Sequence, residues 1–364
     1  MFEIIFLIAV SFYFIQTVLF TVGAAKNYPK LSDDKLPTTS VIVAARNEEE
    51  NILDCLVSLS KLNYPEGKLQ IIIVDDKSTD STGKIIDDFI KDKPNFLKVV
   101  TQKNIEELKG KTLAIANGIE KATGEIIMTT DADCVVSPDW AKTIASYYIS
   151  DNVAIVNGMT NQQEYNSFAA MQSIDFIYLL TIASGSINLG EPLSCIGNNM
   201  SYRKSVYDEI GGYASLKFSV TEDFNLLMAT HKLKKYKILY PVDAGALVTS
   251  KPCPSYKSLF KQKKRWSVGG LESGIAGYWV MTTGFVTHVC MILTPFFYST
   301  SALSLFAFKI FIDYFFLAPV YRKLNLKLKL KDFLVFEIYF ILYIFTIPFV
   351  LLLDRKVEWK GRKY

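Results

Sequence analysis

A short apolar run that ends in two acidic residues constrains the fold more than any other stretch of this chain. Residues 126–130 have the length and composition of a buried strand, and Asp131 and Asp133 follow directly. Because side chains alternate along an extended backbone, these two carboxylates fall on the same side. Open α/β sheets bind ligands at the carboxyl ends of their strands, and paired carboxylates attract a divalent cation. An Asp-x-Asp spacing also suits a solvated turn, so this interpretation depends on the rest of the chain.

Strands alternate with helices around this run, which predicts an α/β fold with a mostly parallel sheet. Apolar runs and helical spacing predict its elements, namely strands at 40–44, 69–74, 99–100 and 126–130, and helices beginning at 46, 81 and 111. A second strand also runs into acids, Asp75 and Asp76. Two such strand ends indicate one nucleotide-and-metal crevice at the edge of the sheet. No Walker A or Rossmann glycine motif is present, so Lys111 is the candidate for holding phosphates.

Composition narrows the classes of function. The net charge of +4 is too small to predict a nucleic-acid partner. The five cysteines are scattered without a C-x-x-C pair, and the two histidines lie far apart in sequence. This pattern argues against zinc and against a disulfide framework. A metal site would therefore consist of carboxylates, and oxygen ligands favour Mg²⁺ or Mn²⁺.

Apolar segments at both ends of the chain predict membrane helices. Hydrophobic residues make up 50% of the 364 residues, and the mean hydropathy is +0.21. Residues 1–25 are long enough to span a bilayer, and their lack of early positive charge argues against a signal peptide. Lys26 and Lys30 follow, so the positive-inside rule predicts an outside N-terminus and a cytoplasmic domain after it. About three further apolar segments of near-membrane length occupy 278–353.

The order of basic segments leaves the C-terminal topology open. Residues 322–331 and the tail at 354–364 are both basic, yet one apparent span separates them. Either one apolar run is re-entrant, with Pro295 and Pro348 as possible break points, or the tail is exported. Lys309 and Asp313 lie four residues apart within the second C-terminal run, so we expect them to pair on one helix face.

Two polar motifs lie in the second half of the chain. Glu222 and Asp223 open a predicted helix, where acids ordinarily satisfy the helix dipole. Residues 255–270 predict a basic amphipathic helix of the kind that lies in a membrane interface. Gln262, Arg265 and Trp266 share one face of it and can cap a diphosphate pocket, although interfacial anchoring also explains an Arg and a Trp there.

One further segment, 163–190, predicts a helix that is unusually apolar for a soluble surface. Core packing explains such a helix, and so does contact with a lipid.

Taken together, these motifs resemble membrane-bound family-two glycosyltransferases with a GT-A fold, especially ceramide glucosyltransferase-like and polysaccharide synthase-like enzymes. The resemblance covers about residues 38–270 and rests on seven segments in the right order: Val43–Glu48, Asp75-Asp76, Lys111, Asp131–Asp133, Gly197–Arg203, Thr221–Asp223 and Gln262–Trp266. It implies a transmembrane anchor at 1–25, a cytoplasmic GT-A domain at 38–254, an interfacial helix at 255–270, membrane helices at 278–353 and a basic tail at 354–364.

The resemblance also implies a role for each matching residue. On the donor side these are Ala44, Arg46 and Glu48 for the nucleoside, Asp76 for its base, Lys111 and Asp131 for the ribose and diphosphate, and Asp133 for Mg²⁺ or Mn²⁺. On the catalytic side they are Glu222, Asp223 as the general base, and Gln262, Arg265 and Trp266 closing over the donor diphosphate and the acceptor.

The implied function is inverting transfer of a sugar from a nucleotide-diphosphate donor, a UDP-sugar, to a hydroxyl of a membrane lipid. The protein would be integral to the cell inner membrane. A processive polysaccharide synthase, a polyprenyl-phosphate sugar transferase and a non-catalytic membrane scaffold are the alternatives. Processive synthases usually carry more spans than this chain offers, which favours a single transfer, and the full set of expected acids argues against a scaffold.

Overall fold

The computed structural model of this chain describes residues 1–101, 108–217, 219 and 221–353, with the backbone of 358–359 and 362–363. The chain forms two compact units. The sheet unit comprises residues 27–161 and 195–251, and the helical unit comprises 1–26, 162–194 and 252–364. Segment 162–194 thus interrupts the predicted catalytic segment 38–254, and the predicted division into domains stays a prediction. The predicted basic tail lies outside the described residues, apart from the backbone of two short strands.

The strands, in chain order, are β1 (Thr39–Ala45), β2 (Leu69–Asp75), β3 (Phe96–Val100), β4 (Ile126–Asp131), β5 (Cys134–Val136), β6 (Val153–Asn157), β7 (Thr160–Gln162), β8 (Met200–Arg203), β9 (Lys237–Leu239), β10 (Val248–Ser250), β11 (Glu358–Trp359) and β12 (Arg362–Lys363). In the described residues the main sheet has the order β3-β2-β1-β4-β8-β6-β9. Pairs β3–β2, β2–β1, β1–β4 and β6–β9 are parallel, whereas β8 is antiparallel to both of its neighbours. A smaller sheet has the order β5-β10-β7.

Helices of the sheet unit are α2 (Ile52–Leu59), α3 (Thr82–Ile90), α4 (Gly110–Ile119), α5 (Trp140–Ser146), α7 (Lys204–Glu209) and α8 (Glu222–Lys232). The central strands β1, β2 and β4 are almost fully buried, because helices cover both faces of a parallel sheet. Their apolar composition, without polar alternation, is what such burial requires. The predicted mostly parallel α/β fold is therefore confirmed.

One predicted helix start is wrong. The helix begins at Ile52 rather than at Arg46, and residues 46–51 form a loop. Asn47 has a left-handed backbone with φ of 52°, which a helix does not tolerate. The loop is held instead by the next one: Asn47 N donates to Ser78 Oγ at 3.1 Å, and Glu48 N donates to Thr82 Oγ1 at 2.8 Å. These bonds fix the backbone that presents Arg46 and Glu48.

Helices of the helical unit are α1 (Phe2–Ala24), α6 (Ser167–Leu189), α9 (Tyr256–Gly270), α10 (Gly274–Leu293), α11 (Thr300–Lys323) and α12 (Leu330–Leu353). Among the described residues, five of them are long and apolar enough to cross a membrane: α1, α6, α10, α11 and α12. Pro348 lies inside the continuous helix α12 and does not break it, whereas Pro295 lies between α10 and α11.

Two of the contacts inside this unit show how its helices pack. Helices α1 and α6 cross at Gly185, where an added Cβ would overlap the carbonyl oxygen of Phe20. Small residues at such a crossing let two backbones approach closely. Lys309 and Asp313 pair at 2.7 Å on one face of α11, as their spacing predicts.

Candidate active site at the carboxyl edge of the sheet

The register of the central strands brings the predicted donor-side residues to one edge of the sheet. Ala44 is level with Val74 on β2 and with Asp131 on β4. Since β1 lies between those strands, the acids that end β2 and β4 are roughly 10 Å apart across it. Asp76, one residue beyond β2, is tied back to this edge by its N–H, which donates to Ala45 O at 2.8 Å.

Arg46 and Asp76 form the outer end of this edge. Arg46 Nη1 lies 3.4 Å from Asp76 Oδ2 and 3.5 Å from Asp76 O. The Asp76 side chain is 10% exposed and that of Arg46 is 36% exposed, so the arginine covers the carboxylate without sealing it from solvent. Asp75, the other member of this acid pair, accepts from Ser78 N at 2.9 Å and closes the turn after β2. The structure thus separates a turn-forming acid from one that faces the crevice.

Lys111 joins the strand-end acids to the acids of α8. It lies in the first turn of α4, which begins at Gly110 with φ of 61°. Its ammonium is 2.5 Å from Asp131 Oδ1 and 3.6 Å from Glu222 Oε1. Burial alone would lower the pKa of Lys111, but Asp131, Glu222 and Asp223 raise it well above its ordinary value. Lys111 is therefore a permanent cation between residues that are about 90 positions apart in sequence.

Asp133 follows β4 and lies near other carboxylates. Burial, together with the charges of Asp131 and Glu48, raises the pKa of Asp133 to about 6. Glu48 is itself held by Asn51, whose Nδ2 donates to Glu48 Oε2 at 2.7 Å. A cation bound here would relieve the mutual repulsion of these carboxylates.

These residues fit a hard divalent ion that is completed by a substrate. Among the residues that the structure describes, no group of three or more His, Cys, Asp or Glu side chains is arranged to hold a metal ion. Mg²⁺ and similar ions commonly take one or two carboxylates and fill their remaining positions with water and substrate phosphates. Asp133, with Asp131 two residues before it, supplies a donor set of that kind.

Asp223 is held from two sides. Its Oδ1 accepts from Phe224 N at 2.8 Å, at the start of α8. A Cβ added to Gly197 would lie 3.2 Å from its Oδ2, so this position leaves little room for any side chain. Thr129 on β4 donates to the Gly197 carbonyl at 2.8 Å, which links that turn to the strand that ends at Asp131.

The remaining three predicted residues, Gln262, Arg265 and Trp266, lie on α9 in the helical unit. The ring of Trp266 stacks on Phe176 of α6, with centroids 5.3 Å apart. On this helix Lys263 also contacts Trp266, with its ammonium 4.6 Å from the ring centroid. Lys263 forms a buried ion pair with Asp175 of α6.

Sequence reasoning missed one buried ion pair of the helical unit and one residue that supports the site in the sheet unit. The pair of Asp175 and Lys263 was not predicted. Asp175 is the single charged residue in the apolar stretch of α6, and this could have indicated a buried ion pair. Lys251 was also missed: its Nζ donates to Asn51 Oδ1 at 2.6 Å and so extends the chain of contacts that ends at Glu48. The sequence gives no signal for that contact, since the two residues are 200 positions apart.

Comparison with known proteins agrees with this fold. The family model described as Glycosyl transferase family 2 matches residues 40–223, and the chain therefore belongs to that family. The chain is 17% identical to a mannosyltransferase from Pyrobaculum calidifontis whose structure was solved with GDP-Man and Mn²⁺, with a TM-score of 0.66 over 96% of this chain and 99% of that one. That match shows a shared fold, and the predicted GT-A class is confirmed.

Two curated relatives have more specific names. A β-monoglucosyldiacylglycerol synthase from Nostoc sp. is 30% identical over 264 residues, which cover 70% of this chain and 53% of that protein. A poly-β-1,6-N-acetyl-D-glucosamine synthase from Staphylococcus aureus is 27% identical over 272 residues, which cover 72% of this chain and 61% of that protein. The matched region thus spans between about half and three fifths of these relatives.

Proposed function

We propose that this chain is an inverting glycosyltransferase that moves a sugar from a nucleotide-diphosphate donor, a UDP-sugar, to a hydroxyl of a membrane lipid. The observation that carries the proposal is the pair of contacts made by Lys111, to Asp131 at 2.5 Å and to Glu222 at 3.6 Å. A donor-binding strand end and an acidic helix start meet there around one cation. Transfer from a diphosphate to a hydroxyl is favoured by charged groups that are held in place around the reacting atoms.

On the donor side, Ala44, Arg46 and Glu48 line the nucleoside pocket, and Asp76 accepts from the base. Lys111 and Asp131 contact the ribose and diphosphate region, where the buried ammonium of Lys111 binds phosphate oxygens. Asp133 would hold Mg²⁺ or Mn²⁺ together with the donor phosphates. When bound, that ion supplies positive charge where the departing diphosphate gains negative charge.

On the acceptor side, Asp223 takes the proton of the attacking hydroxyl. The Phe224 N–H and the close backbone of Gly197 fix the rotation of its carboxylate, so its basic oxygen holds one orientation. General bases of this kind contribute roughly 10²- to 10⁴-fold in rate. A single displacement opposite the leaving group inverts the anomeric centre. Gln262, Arg265 and Trp266 of α9 keep their assignment to the donor diphosphate and the acceptor from the family resemblance alone.

A membrane location with a cytoplasmic sheet unit belongs to the same proposal. It is supported by the five long apolar helices. It is also supported by the basic residues that follow α1 and end α11. Lys323 Nζ donates to Ala25 O at 3.1 Å, so Lys26 and the basic segment 322–331 share one end of the helical unit. Clustered positive charge at one end of membrane helices is typical of the cytoplasmic side. The named Nostoc relative supports a lipid acceptor.

Asp223→Asn tests the assignment. The full chain is incubated with labelled nucleotide sugars and total membrane lipid, and products are identified by mass. We expect the variant to lose about 10²- to 10⁴-fold in turnover while calorimetry shows unchanged nucleotide binding. Asp208→Asn is the matched control, because that acid forms an exposed i,i+4 pair with Lys204 on α7 and should not affect the rate. Turnover retained by Asp223→Asn would exclude it as the base.

The second candidate is a processive polysaccharide synthase, favoured by the similarity to the Staphylococcus aureus enzyme. Product length separates the two, since a single transfer yields one sugar on a lipid and a processive enzyme yields a polymer. A polyprenyl-phosphate acceptor would appear in the same mass analysis. A non-catalytic scaffold would show no chelator-sensitive nucleotide binding.

A further inference from the structure

The helical unit buries a charge cluster that plays no part in the proposed transfer. Lys309 lies 2.7 Å from Asp313 Oδ2 and 2.8 Å from Glu337 Oε2, and the three side chains are at most 3% exposed. Tyr13 Oη donates to Asp313 Oδ1 at 2.6 Å, and Tyr178 Oη lies 2.6 Å from Tyr13 Oη. We call these five residues the buried charge cluster. They come from α1, α6, α11 and α12.

The charges of this cluster do not balance if both acids are ionised. One ammonium then faces two carboxylates, which leaves one negative charge among apolar helices. Uncompensated charge in such surroundings is strongly unfavourable, and a group commonly takes up a proton instead. The cluster therefore needs one more positive charge.

Helix α10 does not supply that charge. Its His288 packs edge-on against Tyr13, and its Nδ1 lies 2.7 Å from Gly284 O, so this nitrogen carries the hydrogen. Its Nε2 is buried and has no hydrogen-bond partner in the described part of the chain. A second proton on the ring would be a cation without an acceptor, so the imidazole is neutral.

The two carboxyl groups instead provide a place for a proton. Lys309 Nζ lies 2.7 Å from Asp313 Oδ2 and 2.8 Å from Glu337 Oε2, so the two carboxyl groups meet at one ammonium. As carboxylates both are acceptors, and among the described residues Glu337 Oε1 has no donor. Like charges at such short range do not both ionise. A proton on one of them supplies the missing donor and brings the cluster to neutrality.

We propose that Asp313 and Glu337 share one bound proton at neutral pH, so that the buried charge cluster is a proton-binding site inside the helical unit. Lys309 bridges both carboxyl groups and keeps the remaining charge paired. The hydroxyls of Tyr13 and Tyr178 continue the hydrogen-bonded chain from Asp313 to α6. The site does not depend on the proposed transfer reaction.

Infrared spectroscopy of the purified full chain tests the proposal directly, because a protonated carboxyl has a carbonyl stretch that carboxylates lack. We expect this band in the wild type at pH 8, where Asp133 with its pKa of about 6 is ionised, shifted in deuterated buffer and absent from Glu337→Gln. Asp151→Asn, which alters a fully exposed acid of the sheet unit, should leave the band unchanged. A wild-type spectrum without the band, or a band that survives in both Glu337→Gln and Asp313→Asn, overturns the proposal.

Thermal unfolding gives an independent readout. Glu337→Gln replaces a protonated acid by a neutral isostere, so its melting temperature should stay within about 2 °C of the wild type. The double variant Asp313→Asn with Glu337→Gln leaves the buried Lys309 ammonium without a counter-ion, so it should melt more than about 6 °C below the wild type. Equal destabilisation of the single and double variants contradicts a shared proton. A melting temperature that rises with Na⁺ or K⁺ would instead identify a metal-cation site and refute the proposal.

Discussion

Adding one methyl group at Gly197 tests whether the position of Asp223 sets the rate. In Gly197→Ala the new Cβ would lie 3.2 Å from Asp223 Oδ2 and 3.3 Å from Asp223 Cβ, so one of the two must move by a few tenths of an ångström. The Gly197 backbone is restrained, because Thr129 Oγ1 donates to its carbonyl at 2.8 Å. We therefore expect the carboxylate to move, against the bond from Phe224 N that now fixes it.

The size of the effect follows from that displacement. A misplacement of about 1 Å costs roughly 100-fold in rate, so a shift of about 0.3 to 0.5 Å should lower kcat by roughly 4- to 10-fold. Lys111 and Asp131 are not touched, so the KM for the donor should not change. The measurements are steady-state kinetics at saturating lipid, nucleotide binding by calorimetry, and thermal unfolding to confirm the fold.

The matched control is Gly284→Ala on α10, where a Cβ would meet nothing within 4 Å. It should keep wild-type kcat, and alanine should stabilise the helix by up to about 1 kcal/mol. The reasoning is refuted if folded Gly197→Ala turns over within twofold of the wild type. It is also refuted if the whole loss appears in donor KM, because the methyl group would then act on the donor site.

Two further predictions concern stability. Gly185→Ala should destabilise the chain by about 1 to 3 kcal/mol in thermal unfolding, because its Cβ would overlap the backbone of Phe20. This loss should exceed the gain in helix propensity that alanine brings. A variant as stable as Gly284→Ala would contradict the close crossing of α1 and α6. Burial raises the pKa of Asp243, but hydrogen bonds, chiefly from Lys30 at 2.6 Å, lower it overall. This stabilisation is present at neutral pH and is lost as pH falls through the lowered pKa. The wild type should therefore exceed Asp243→Asn by roughly 1 to 3 kcal/mol at pH 7 and lose that advantage only at pH values below the ordinary aspartate range. A pH-independent difference would refute this prediction.

The sheet edge and its acids were predictable because local signals specify them. Apolar runs that end in Asp76 and Asp131 mark strand ends, and parallel strands bring their carboxyl ends together. Lys111 follows from its place at a helix start. Lys309 and Asp313 were expected to pair from helical spacing alone. Each of these inferences needs only a few neighbouring residues and the geometry of regular elements.

The failures involve contacts that are distant in sequence or depend on backbone conformation. Acidic residues after Arg46 suit a helix start, yet Asn47 adopts a left-handed conformation because a neighbouring loop binds it. Strand β8 pairs antiparallel with β4, and nothing in its four residues indicates this pairing. The close approach of Gly197 to Asp223 depends on a turn whose path local propensity does not specify. In each case tertiary contacts decide the conformation.

The place of α6 in the chain has a practical consequence for anyone who wants a water-soluble fragment. Both flanking segments of α6 belong to the sheet unit, so cutting at residues 27 and 251 removes the terminal helices but retains this one. Of its most apolar stretch, 83% is buried, and its partners α1, α11 and α12 would be missing from the fragment. That truncated fragment should therefore aggregate when it is expressed. The same fragment with residues 163–193 replaced by a short polar linker should be more soluble, because the exposed apolar helix is removed.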